Sequence, residues 1–195
     1  MKQKQFYILI ITLAVSLSAK AQSYDAQYQI CSALLNKLTK VDSLYLAMVQ
    51  TRDSCLIGSV APNFQAFTID SEKIELSKLQ GQVLVLNFWF TRCSPCIEEI
   101  PALNKLVKLY AGRNVTFISL TNDSLATVTK FLKEHPFKFR VVANDDSVRH
   151  NIFKLFSAWP YTIIINKEGK IMDMQLGSKG GNTFSYFSKQ IDNLL

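Results

Sequence analysis

Two cysteines three residues apart, Cys93 and Cys96 in the stretch WFTRCSPC, stand directly behind a long uncharged run, and this junction restricts the fold more than any other feature. The run GQVLVLNFWF is rich in β-formers, as expected of a strand covered on both faces of a sheet. Behind the cysteines, Ile97, Ile100, Leu103, Leu106, Val107 and Tyr110 recur at helical spacing, and Gly112 offers a stop. The local order is therefore strand, CxxC, helix. At a helix start, positions i and i+3 share a face with Cβ atoms about 5–6 Å apart, within reach of a disulfide that can form and break. The pair is a candidate redox centre.

The first 21 residues read separately. Lys2 and Lys4 precede an apolar run over residues 6–17, and Ala19, Lys20 and Ala21 offer a small-x-small cleavage site, the pattern of a secretory signal peptide. An uncleaved membrane anchor is the alternative, but the run is shorter than the roughly 20 residues a spanning helix needs. Loss of Lys2, Lys4 and Lys20 takes the formal charge from +7 to +4. The remaining Lys and Arg are scattered and no aromatic–basic ladder interleaves them, so a nucleic-acid partner is not expected. Export suits disulfide chemistry, which belongs to oxidising compartments.

Residues 22–55 form a helical segment in which Cys31, Leu34, Leu38, Val41, Tyr45 and Met48 make one apolar seam, packed on the main domain or on a second copy. As one continuous helix it would hold Cys31 and Cys55 about 36 Å apart, beyond any disulfide. Either the chain turns back near residues 39–43, or these thiols stay unpaired or bond between chains. From residue 56 onward, NFQAFTI and KIELSKL suggest a leading hairpin, and VTFISL a strand. DSLATVTKFLKEH reads as a helix capped by Asn122 or Asp123, FRVVAN as a strand and DDSVRHNIFKLF as a further helix. WPYTIIIN and KIMDMQLG form a hairpin around KEGK, and NTFSYFSKQIDNLL closes the chain as an amphipathic helix.

IGSVAPNF, ELSKLQGQVLVLNFWF, CSPC with the helix proline Pro101, and WPYTIIINKEGKI make residues 56–195 resemble the exported TlpA/ResA-like thiol-disulfide oxidoreductases. The resemblance implies an α/β, thioredoxin-like fold, a mixed central sheet with helices on both faces, beside the N-terminal helical segment. Pro160 matches that family's cis-proline, and Glu99, three residues after Cys96, matches the acidic residue it places near its cysteines. Asn87 replaces the buried acid of ordinary thioredoxins; an amide cannot titrate, so the proton-accepting task falls to Glu99. Arg92 stands where Trp is usual before the first cysteine. The resemblance further implies protein disulfide substrates, a membrane thiol as electron donor, and a place in cytochrome c maturation.

The expected chemistry follows. Cys93, at a helix N-terminus whose dipole favours an anion by about 0.3–1 kcal/mol, attacks a substrate disulfide; Cys96 resolves the mixed disulfide, and Glu99 relays the proton. Arg92, Trp159 and Pro160 are the expected substrate contacts, while Trp89 belongs to the core. No cofactor is needed. Structural zinc is a poor rival because it needs four ligands, usually as two close pairs, whereas Cys31 and Cys55 are far apart in sequence and neither His135 nor His150 has metal-ligand spacing. A peroxide-reducing relative lacks its Thr-x-x-Cys setting here. A redox-inactive binding module with a static CSPC bridge is the remaining alternative.

Overall fold

In the computed structural model, which describes residues 22–38 and 45–195, the uncharged run becomes strand β3 (Val83–Trp89), buried at every position. It can be apolar at every position but Asn87 because both faces are covered. Leu84, Leu86 and Phe88 enter one core layer, and Val83, Val85 and Trp89 the other. β3 pairs in parallel with β4 (Val115–Thr121) and antiparallel with β6 (Tyr161–Ile165). With β5 (Arg140–Val142) and β7 (Ile171–Leu176) at the edges, the five-stranded sheet has the order β5-β4-β3-β6-β7. β1 (Gln65–Phe67) and β2 (Lys73–Glu75) form the expected separate hairpin.

Helix α3 (Ser94–Leu109) follows β3, with α4 (Leu125–Glu134) and α5 (Thr183–Asp192) supplying buried residues to the same layer. Ile100, Leu103, Leu106 and Tyr110 are its buried stripe, and Gly112 at φ +76° turns the chain out of it. The opposite face is covered by α1 (Tyr24–Leu38), α2 (Tyr45–Leu56) and the segment around Phe153. The fold is thus the mixed sheet with helices on both faces, plus an N-terminal helical segment.

Three local expectations are corrected. The N-terminal segment is two helices rather than one seam: Cys31 and Cys55 are bonded with Cα atoms 5.7 Å apart, joining α1 to the end of α2. Leu34 and Tyr45 are exposed, and the buried apolar positions are Tyr24, Cys31, Leu35, Val49 and Leu56, because each short helix turns its own face to the sheet. Val41, the turn near residues 39–43 and the leader lie outside the described residues. Second, α4 is capped by Ser124, whose Oγ accepts the Thr127 N–H at 3.2 Å. Third, DDSVRHNIFKLF makes only one wide turn, Val148–Ile152, closed by Phe153 N–H on Val148 O. Lys154 at φ +48° cannot continue a right-handed helix, and the Phe153 ring instead packs edge-on against Tyr24, Phe64 and Phe88.

Candidate redox site

Cys93 is the N-cap of α3, with Pro95 inside the first turn. Its Sγ accepts the backbone N–H of Cys96 at 3.3 Å, and it is bonded to the Cys96 sulfur across a Cα separation of 5.2 Å. Cys93 is 5 % exposed against 1 % for Cys96, so it is the outer sulfur of the pair. A thiolate formed there when the bond opens would meet the positive end of the helix and a backbone donor, both of which favour the anion.

The loop entering the site is held from β4. Asp123 Oδ2 accepts the Thr91 N–H at 2.6 Å, and Phe90 O accepts the Cys93 N–H at 3.1 Å. Asp123, a cap candidate in the sequence, is engaged here instead, which leaves the capping to Ser124.

Glu99 lies on the buried face of α3, 2 % exposed. Asn87 Nδ2 donates to Glu99 Oε1 and to Thr162 Oγ1, each at 3.0 Å. Burial pushes the Glu99 carboxyl up to about 7, against the opposing pull of hydrogen bonds from Asn87 and Ser178. The group can thus hold or release a proton near neutrality. Asn87, Thr162 and Ser178 are not ionisable and tune it without competing for the proton.

The Trp159–Pro160 peptide is cis, and Pro160 O accepts the Gly177 N–H from the end of β7. The Trp159 ring meets the Phe90 ring edge-on at 5.4 Å, which brings the loop before β6 against the loop before Cys93. Arg92 is exposed and enters no ion pair among the described residues. Trp89 is buried in the core beside Phe131 and Phe137. His135 and His150 are exposed, the first stacked on Phe131 and the second paired with Asp146.

Several residues around the site carry no sequence signal. Ser178, beyond β7, helps to lower the Glu99 pKa, an influence no spacing rule gives. Arg149 and Arg52 look like ordinary surface residues of helical stretches, yet both are buried. Arg52 forms an ion pair with Asp53 and donates to Tyr161 Oη at 3.1 Å, while Tyr161 donates to Asp53. Because Tyr161 follows Pro160, α2 grips the chain immediately after the cis peptide.

A mixed sheet with a CxxC pair at the start of the helix after its central strand, faced by a cis-proline loop, defines a thioredoxin-like protein. Residues 57–174 match the AhpC/TSA family. A thiol-disulfide oxidoreductase ResA of Bacillus cereus is 32 % identical over 140 residues, 70 % of this chain and 79 % of that protein. ResA of Bacillus subtilis is 32 % identical over 137 residues, covering 70 % and 76 %. Among solved structures, a thiol:disulfide interchange protein of the thioredoxin family from Chlorobium tepidum superposes with a TM-score of 0.60 at 23 % identity, covering 69 % of this chain and 94 % of that one. The thioredoxin domain of a thiol-disulfide oxidoreductase from Bacteroides vulgatus gives 0.60 at 22 %, covering 69 % and 97 %. The chain belongs to the AhpC/TSA family of thioredoxin-fold proteins and is a thiol-disulfide oxidoreductase of the ResA type.

Proposed function

We propose that the protein is exported and reduces disulfide bonds in protein substrates, with Cys93 as nucleophile, Cys96 as resolving thiol and Glu99 as proton relay. The observation that carries this is the Cys96 N–H donated to Cys93 Sγ at the start of α3, with Glu99 buried one turn further on. The Cys93 thiolate attacks one sulfur of the substrate disulfide; a Cys93–substrate bond forms, and the other substrate sulfur leaves as a thiolate that takes up a proton. Cys96 then loses its proton to Glu99 and attacks Cys93 Sγ. The Cys93–Cys96 bond forms, the second substrate sulfur leaves as a thiolate that takes up a proton, and two electrons have passed to the substrate. A membrane thiol donor restores the dithiol.

Trp159, Pro160 and Arg92 supply the substrate-facing rim in this reading, supported by the contact between Trp159 and Phe90. Export is supported by the leader-like sequence of residues 1–21 and by the Cys31–Cys55 bond, which takes no part in CxxC exchange and persists where the surroundings are oxidising.

Trapping tests the roles. Cys96→Ser should accumulate a covalent complex with a protein disulfide through Cys93, while Cys93→Ser accumulates none. Equal trapping by both variants, or by neither, defeats the assignment.

A further inference from the structure

Residues 153–160 contain no helix or strand, yet they carry Trp159 and Pro160 to the redox edge. The inward carbonyls of such a segment need donors, because a backbone group buried without a partner is costly. Two buried guanidiniums supply them. Arg52 from α2 donates to Lys154 O at 2.9 Å, and Arg149 donates to Phe156 O and, at 2.8 Å, to Ala158 O. The accepting carbonyls are those of residues 154, 156 and 158, and Phe156 O also accepts the Ala158 N–H at 2.8 Å.

Arg149 does more than satisfy carbonyls. It is 1 % exposed, and its Cζ lies 3.8 Å from the centroid of the Trp159 ring, whose other aromatic neighbour is Phe90. Phe90 O in turn accepts the Cys93 N–H. One line of contacts thus runs from Arg149 through Trp159 and Phe90 to Cys93. Its Nε has no partner, so a buried cation is kept here with one donor unused. Stability alone is a poor account of such a residue; geometry is a better one. Both carbonyl bonds come from Nη2, so a lysine would keep the charge and a donor but not the planar face that stacks on the indole.

We propose that Arg149 is a positioning residue for substrate binding. It holds the Trp159 ring, and the backbone leading into Pro160, where a polypeptide docks beside Cys93. This rests on the reading of Trp159 and Pro160 as substrate contacts. Arg149 touches no reacting atom and acts through Trp159.

Steady-state reduction of insulin, with dithiothreitol as the regenerating thiol, tests it. Arg149→Met should raise KM for insulin about tenfold and Arg149→Lys about threefold, with kcat kept within about twofold, since one tenfold step matches loss of a single good charged contact. In a Trp159→Ala background, Arg149→Lys should add nothing further to KM, because coupled residues are non-additive. A wild-type KM in Arg149→Lys overturns the proposal, as does a fall in kcat at unchanged KM, or a full threefold effect that persists without Trp159. If Arg149→Met does not fold, Arg149→Lys decides on the same criteria. A wild-type KM in Trp159→Ala alone would instead sink the substrate-contact reading on which the inference rests.

Discussion

Replacing Glu99 by Gln should remove a pH dependence that the fold itself creates. The carboxyl moves from its ordinary 4.5 to about 7 on burial, so the native state holds a proton that the unfolded chain has already released across that window. Stability from this group is complete below pH 4.5, declines as the pH rises toward 7, and is flat above it. At 1.36 kcal/mol per pH unit, the loss totals about 3 kcal/mol. Glu99→Gln keeps a hydrogen-bonding group of similar shape in contact with Asn87 but does not titrate. Urea unfolding at pH 5, 6, 7 and 8 measures the difference. It should be made on the disulfide-bonded form, where Cys93 and Cys96 do not ionise. Asp53, Asp145 and Asp173, also raised by burial, contribute to both proteins and cancel in the comparison. The variant should gain roughly 2–3 kcal/mol relative to the native protein between pH 5 and pH 8. A stability difference that stays constant within about 1 kcal/mol over that range would refute the claim that burial holds this carboxyl protonated.

Two further outcomes follow from the same geometry. Asn87→Leu removes a donor that favours ionised Glu99, so the Glu99 pKa should climb above about 7; the alkaline shift of the pH profile for mixed-disulfide resolution checks it, and an unmoved profile contradicts it. Replacing Cys31 and Cys55 together by Ser opens a loop with a sequence separation of 24, which should lower stability by about 3.5 kcal/mol on the chain-entropy relation; urea midpoints measure this, while insulin reduction per folded molecule should hold.

Much of this molecule is legible along the chain because the deciding interactions are local. The uncharged, β-rich run of β3, the helical spacing behind the cysteines and the β6–β7 hairpin around KEGK each follow from side-chain periodicity and turn chemistry. DDSVRHNIFKLF has helical spacing too, but only one turn forms, because Phe153 is drawn into the aromatic cluster with Tyr24, Phe64 and Phe88. Likewise, one apolar seam across residues 24–52 cannot reveal that two short helices each present a separate face and meet at Cys31–Cys55. Asp123 looks like a helix cap by its place before α4, and a loop 32 residues upstream claims its oxygen instead.

What residue order alone decides is the redox pair itself: two sulfurs one helical turn apart, at the end of a buried strand, share one corner of the fold whatever surrounds them. What only the tertiary structure decides is how that corner works. Asn87 lies 12 residues before Glu99 and 75 before Thr162, and Ser178 and Arg149 arrive from elements further along. The proton affinity of Glu99 and the seating of Trp159 depend on which atoms exclude water and donate hydrogen bonds, and those neighbours meet only once the sheet and its covering layers have closed.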